Sequence, residues 1–304
     1  MVATKTNTRI HESIHHTAET EQPTASRWDS ISDYVTSLTN EPDFISLTGG
    51  QGLERDSMEY ADALSQYAEA SIAQQEGLID EQMATQIRLV ANAPYITHAS
   101  LRINELKRRR MGGRKLPKDE WDSFNTLKHQ AVWYNQMLGD YMYTHDSDSF
   151  SDISQALVDQ TLDHFPSGAT PAATTMEGIV RGVRTEAATR HLFDDCEIPY
   201  RPATPAEDLR GADVILTLPN AEYDIDIKKS LDQLAENNGG YTFEENARLY
   251  SIASHGRGHK KILFFPGFTD ADLGDSLRLD ETTTNQRKDI IRVQLTLATM
   301  EIGA

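Results

Sequence analysis

The residues best placed by type and spacing to do chemistry lie in GADVILTLPNAEYDIDIKKS, positions 211–230. Strand alternation over 223–229 puts Ile225 and Ile227 on one face and Asp224, Asp226 and Lys228 on the other. Charge on a core strand is costly unless it is paired or put to use. Asp213 begins the preceding strand, just after Gly211, and hairpin pairing would let Asp213 and Asp226 converge at one end. Two carboxylates that close repel each other unless a cation sits between them. Their oxygens suit a hard ion, Mg²⁺ or Mn²⁺. A nearby lysine, here Lys228, could then stabilise a developing phosphorane or polarise an attacking water. Glu186 supplies a third acid. It follows Val183 by three residues, at the edge of an apolar helical stripe of Met176, Ile179, Val180, Val183 and Ala187, and so can reach the sheet. Glu177 lines up instead with Arg181 and Arg184 on an exposed face and suits a capping role.

The scaffold that must hold these side chains is read as follows. A helix opens at the capping box Thr174-x-x-Glu177 and runs to about Phe193. Short strands follow near 197–201, 213–218 and 223–229. A loop with Asn237-Asn238-Gly239-Gly240 leads to a helix at about 243–254, then a basic turn, the apolar strand Ile262–Phe265 and a last helix over about 285–300. This is an α/β core, a small mixed sheet flanked by helices. Before it, PSGATPAATT at 166–175 has a linker's composition, and 58–165 reads as all-helical. The helical periodicity runs through Tyr60, Leu64, Tyr67 and Ile72, then Ile79, Met83 and Ile87, then Leu101, Ile103 and Leu106, ending at Gly112-Gly113. Pro117 with Asp119 and Glu120 marks the next helix start, and another helix spans about 151–165. Residues 1–57 read as a polar arm and an irregular segment.

Glu186 in a helix, then Gly211-Ala212-Asp213, then Asp226-Ile227-Lys228 together resemble the PD-(D/E)XK nuclease superfamily, whose core is a helix, three strands, a helix and a further strand. The resemblance covers roughly 176–266, and the proline that often precedes the first acid is Ala212 here. It implies a restriction endonuclease-like fold and Mg²⁺-dependent hydrolysis of DNA phosphodiesters. Asp213 and Asp226 would be metal ligands, the Ile227 carbonyl a further ligand, Glu186 an outer one, and Lys228 the catalytic cation. Chain length favours a type II restriction-type enzyme acting on double-stranded DNA as a homodimer. A Holliday-junction resolvase or repair nuclease is the alternative within that class, and a non-catalytic DNA-binding or assembly protein on a nuclease-like fold is the alternative outside it.

Charge sharpens the nucleic-acid reading. The chain has 304 residues with 47 Asp and Glu against 29 Lys and Arg, a formal net charge of −18. That argues against a nonspecific nucleic-acid coat, and the composition resembles that of proteins from high-salt cytoplasms. Against this background KRRRMGGRKLPK at 107–118 is a sharp reversal: Lys107, Arg108, Arg109, Arg110, Arg114, Lys115 and Lys118 suit phosphate contact or guanine readout. The competing reading is a solvated helix end whose bases suit the dipole. Arg257, His259, Lys260 and Lys261 form a second basic patch before the late strand. Trp121, Phe124, Trp133, Tyr134, Tyr141 and Tyr143 recur at helical spacing, which favours core packing over base stacking. His11-Glu12-Ser13-Ile14-His15 matches HExxH, but it lies in the polar arm without the apolar helix face a zinc protease needs. Cys196, the single cysteine, excludes an intrachain disulfide and reads as a small buried residue. No apolar run approaches a membrane span and no signal-peptide pattern opens the chain, so a cytoplasmic location is expected.

Overall fold

The structure, a computed structural model, describes residues 69–113, 115–145, 147–165, 169–219, 221–228, 250–254, 261–268, 272–273 and 277–303. The fold is mixed α/β. The described residues form two compact units: the chain to Leu138 with Asp148–Val180, and Gly139–Ser147 with the chain from Arg181 onward. The arm, the irregular segment to 57 and the predicted helix through Tyr60, Leu64 and Tyr67 lie outside the described residues.

The first unit is helical. Its elements are α1 (Glu81–Met111), α2 (Lys118–Thr144) as far as Leu138, α3 (Ser147–His164) from Asp148 and the start of α4 (Ala169–Asp195). Asp80 caps α1, its side chain accepting from the Met83 N–H at 2.8 Å. The periodic segments expected around 79–87 and 101–111 are one helix of 31 residues that continues through Pro94. A proline there removes an N–H from the helix ladder. Side chains donate to carbonyls in the turn before it: Tyr134 Oη to Leu89 O at 3.1 Å and Asn92 Nδ2 to Arg88 O at 2.8 Å. Contacts between Leu89 and Tyr134, Tyr95 and Gln130, and Arg109 and Glu120 run in opposite directions along α1 and α2, so the pair is an antiparallel hairpin. Near its tip Ala99, Ile103 and Leu106 of α1 pack against Phe124 and Leu127 of α2.

A second difference from expectation concerns the linker. Ala169–Thr175 are the first residues of α4, and Pro171 is tolerated because it is the third residue, where the N–H has no helical partner to lose. Thr174 and Glu177 therefore lie inside α4, and no capping box forms there.

The second unit carries β1 (Tyr200–Pro202), α5 (Pro205–Leu209), β2 (Val214–Leu218), β3 (Ala221–Ile227), β4 (Tyr250–Ser254), β5 (Lys261–Phe265) and α6 (Glu281–Gly303). The five strands form one sheet in the order β1-β2-β3-β5-β4. β1, β2 and β3 are an antiparallel meander, β5 runs parallel to β3, and β4 pairs antiparallel with β5. The helix expected over about 243–254 is corrected in its described part: Tyr250–Ser254 is a strand, because β5 offers it a full antiparallel ladder from Tyr250↔Phe265 to Ser254↔Lys261. The core packs Leu192 and Phe193 of α4 and Ile291, Leu295 and Ala298 of α6 against Val214, Leu216, Ile225, Ile227, Ile262 and Phe264. Among the described residues no helix is long and apolar enough to cross a membrane.

Candidate functional site

Asp213 owes its place to α5, an element absent from the sequence reading. Thr204 caps it: the Thr204 side chain accepts from the Glu207 N–H while the Glu207 carboxylate accepts from the Thr204 N–H at 2.8 Å. The other end closes with paired bonds from Gly211 N to Asp208 O at 2.6 Å and Ala212 N to Glu207 O at 3.1 Å. Gly211 takes φ 91°, which a side chain would resist. Ala212 is buried, and Asp213 then enters the meander with its N–H donating to Ile225 O at 2.8 Å. The β2–β3 register ends at Val214 opposite Ile225, and Asp213, just before it, also turns its N–H to Ile225 and so lies near Asp226.

There Asp213 Oδ2 accepts from the Ile227 N–H at 2.5 Å. Burial pushes the Asp213 carboxyl well above the usual Asp range, and the charges of Glu186 and then Asp226 push it further the same way. The Ile227 hydrogen bond only partly offsets them. Asp226 is 7 % exposed and pairs with the Lys228 ammonium through a short, partly buried contact. Lys228 is itself fixed by its backbone, which donates to Phe264 O at 2.7 Å and extends the β3–β5 pairing by one residue. Thus Asp213, Asp226 and Lys228 are brought together at one end of β2 and β3, within electrostatic reach of Glu186 on α4. Ile225 and Ile227 face the core as alternation predicts. Asp224 sits opposite Ile215 and Lys261 and is half-buried.

The donor chemistry fits a hard divalent cation. Three carboxylates whose mutual repulsion raises one of them are the arrangement a cation relieves. Among the described residues no group of three or more His, Cys, Asp or Glu is gathered as a ready cage. Mg²⁺ does not require one, since it commonly binds through one or two carboxylates and completes its shell with water and substrate phosphate.

The remaining predicted site residues lie in the first unit, on β5 or outside the described residues. Lys107, Arg108, Arg110, Lys115 and Lys118 are exposed at the α1–α2 hairpin tip in the first unit. Arg109 is engaged by Glu120 at 2.6 Å. Arg114, Arg257, His259 and Lys260 lie outside the described residues, as does the HExxH segment, and Lys261 opens β5. Of the aromatics, Phe124, Tyr134 and Tyr141 are core residues, whereas Trp121 is 41 % exposed. Cys196 is buried, and burial raises its thiol.

Reading the sequence missed the polar groups that brace the site. Arg201 on β1 grips Glu207 at 2.9 Å through both terminal nitrogens and reaches Glu222 on β3 at 3.0 Å. The signal was present in Thr204-Pro-Ala-Glu207, a capping box with proline in the first turn. It also missed a layer at the end of α4: Tyr143 Oη donates to Asp194 at 2.6 Å, stacks on His191 at 4.5 Å and lies 4.0 Å beneath the Arg190 guanidinium. Nothing local in the sequence pairs residues that far apart.

Compared with models of known families, with curated proteins and with solved structures, the chain matches none.

Proposed function

We propose that this chain is a Mg²⁺-dependent DNA endonuclease with a PD-(D/E)XK site on a restriction endonuclease-like core. The observation that carries the reading is Asp213 held on the Ile227 N–H within the fields of Glu186 and Asp226, with Lys228 on Asp226. The helix, the three-strand meander and β5 parallel to β3 support it, with β4 added between β3 and β5 in chain order. Asp213 and Asp226 would hold the ion, with the Ile227 carbonyl and Glu186 as further oxygen donors. A bound Mg²⁺ or Mn²⁺ supplies Lewis-acid polarisation of the phosphate and acidifies a coordinated water. Lys228 exchanges its contact with Asp226 for the scissile phosphate or the attacking water, and its ammonium offsets charge growing on the phosphate. Ile227 holds Asp213 in place through its N–H, so the carboxylate is set without a rotamer search. The product end is a 5′-phosphate. Restriction-type cleavage of double-stranded DNA is preferred to junction resolution or repair on chain length alone.

One observation favours a second reading, a DNA-binding or assembly protein without catalysis: Lys228 is already paired with Asp226. Plasmid cleavage with Mg²⁺ at low and high salt separates the two. The nuclease reading expects discrete products from the wild type, a loss of at least about a hundredfold in Asp226→Asn and Lys228→Ala, and retained DNA binding in both. Undiminished cleavage in either variant removes the site assignment. Binding without cleavage by the wild type favours the second reading.

A further inference from the structure

The α1–α2 hairpin tip combines three features that phosphate contact alone does not need. First, residues 107–122 hold seven bases against three acids in a chain of net charge −18. Lys107, Arg108, Arg110, Lys115 and Lys118 are all exposed, so most of this charge faces solvent. Second, Trp121 is 41 % exposed at the first turn of α2. It is held from behind by Phe124, whose ring lies 5.6 Å away at 23°, and Phe124 is locked into the hairpin core with Ile103, Leu106 and Leu127. An exposed indole pinned by a buried ring is a presented surface rather than a core residue that missed its cover. Third, the Arg110 guanidinium carbon lies 5.9 Å from the Trp121 ring centroid, at the outer limit of a cation–π contact. An exposed arginine at that range can yield to a base or close over one.

The acids nearby have other work. Glu120 holds Arg109 at 2.6 Å, and Asp119 and Glu120 lie in the first turn of α2, where the helix dipole favours them. Gly113 takes φ 79°, and a side-chain carbon there would meet nothing within 4 Å.

We propose that this hairpin tip binds nucleic acid at unpaired bases, with Trp121 as the stacking platform and Lys107, Arg108, Arg110, Lys115 and Lys118 neutralising the adjoining phosphates. Duplex bases present their faces to each other and leave nothing to stack on, whereas a single strand, a fork or a gap does. The partner is thus a polyanion with free aromatic faces. The inference stands apart from the nuclease reading, because binding lost at the tip and cleavage lost at Asp226 are separate readouts.

The test uses the full chain carrying Asp226→Asn and three fluorescein-labelled probes: a single-stranded oligothymidylate, a blunt duplex and a forked duplex. Anisotropy should show the single strand and the fork bound at least tenfold more tightly than the blunt duplex. Trp121→Ala should lose about tenfold on the single strand and fork, the size of one stacked base, with the blunt duplex unchanged. Trp121→Phe should keep most of the affinity, and its circular dichroism should match the parent. The salt slope should stay constant in Trp121→Ala and fall in Arg108→Ala with Arg110→Ala, since only the latter removes phosphate contacts. Equal binding of all three probes, parental binding by Trp121→Ala, or binding of none overturns the proposal.

Discussion

At the scale of single residues, Asp213 is the most informative position. Its carboxyl is partly buried, in the field of Glu186 and Asp226 and held against Ile227, so the ionised form is disfavoured in the isolated protein. A cation bound there reverses the balance and adds its binding free energy to stability. The thermal midpoint should therefore rise on adding Mg²⁺ or Mn²⁺ at pH 8, and Asp213→Asn should abolish the rise while leaving the midpoint without metal at or above that of the wild type. Differential scanning calorimetry with and without chelator checks both. A metal-induced shift that survives in Asp213→Asn would place the ion elsewhere. Asp226 behaves differently. Its Lys228 partner already compensates it, and a buried pair broken on one side leaves the other uncompensated, so Lys228→Ala should destabilise the metal-free protein and Asp213→Asn should not.

At the scale of elements, the site depends on α5 and its clamp. Glu207 receives both Arg201 nitrogens and the Thr204 N–H, which hold its carboxyl down to about 2 from an ordinary 4.5. Folding thus favours the ionised form. This contribution is fully present above pH 4.5, and it is lost as the pH falls through that value toward 2. Glu207→Gln should be less stable than the wild type at pH 7, with the gap closing between pH 4.5 and about 2. Urea unfolding at a series of pH values reads it, and a gap independent of pH would mean the ion pairing contributes nothing. Thr204→Ala tests the cap separately, at a cost of about 1 kcal/mol. Because α5 ends at Leu209 and its closing bonds run through Gly211 to Ala212, the residue before Asp213, either change should also weaken the metal-induced midpoint shift. The capping box was legible in Thr204-x-x-Glu207, yet the same pattern at Thr174-x-x-Glu177 lies inside a helix that starts earlier. The motif is local, and which copy caps depends on whether the preceding residues find packing that extends the helix, as buried Ala172 and Met176 do here.

At the scale of the whole molecule, charge and one helix face set the expectation for assembly. Cutting both strands of a duplex calls for two sites, and two copies of a chain with net charge −18 repel at low salt. α6 buries Ile291, Leu295 and Ala298 and leaves Ile290, Val293, Leu297 and Met300 exposed at 51 %, 57 %, 60 % and 66 %. Their spacing of three, four and three is that of a coiled-coil stripe, which in the proposed homodimer a second copy would meet with the same stripe. The residues flanking its middle, Gln294 and Thr296, are uncharged. Sedimentation should show a dimer whose share grows with salt, and Val293→Glu with Leu297→Glu should hold the chain monomeric at every salt concentration. A wild type that stays monomeric at high salt would leave the stripe without this role.

The sequence by itself determined the features that depend on neighbours a few residues apart. Alternation in AEYDIDI settled that Ile225 and Ile227 face the core and that Asp226 and Lys228 share the opposite side. Helical spacing settled most of the first unit, down to the Gly112 stop and the start of α2 after Pro117. Only the tertiary structure decided what depends on distant partners. Tyr250–Ser254 is too short for its period to distinguish helix from strand, and it became a strand because β5 could pair with it. α1 runs unbroken through Pro94 with Tyr134 on the facing helix donating to a carbonyl in the turn before it. The meeting of Asp213 with Asp226 needed the β2–β3 register, and the approach of Glu186 needed α4 packed on the sheet core. Residue type and spacing state which groups can do chemistry, while the free energy of burying a shared core decides which of them meet.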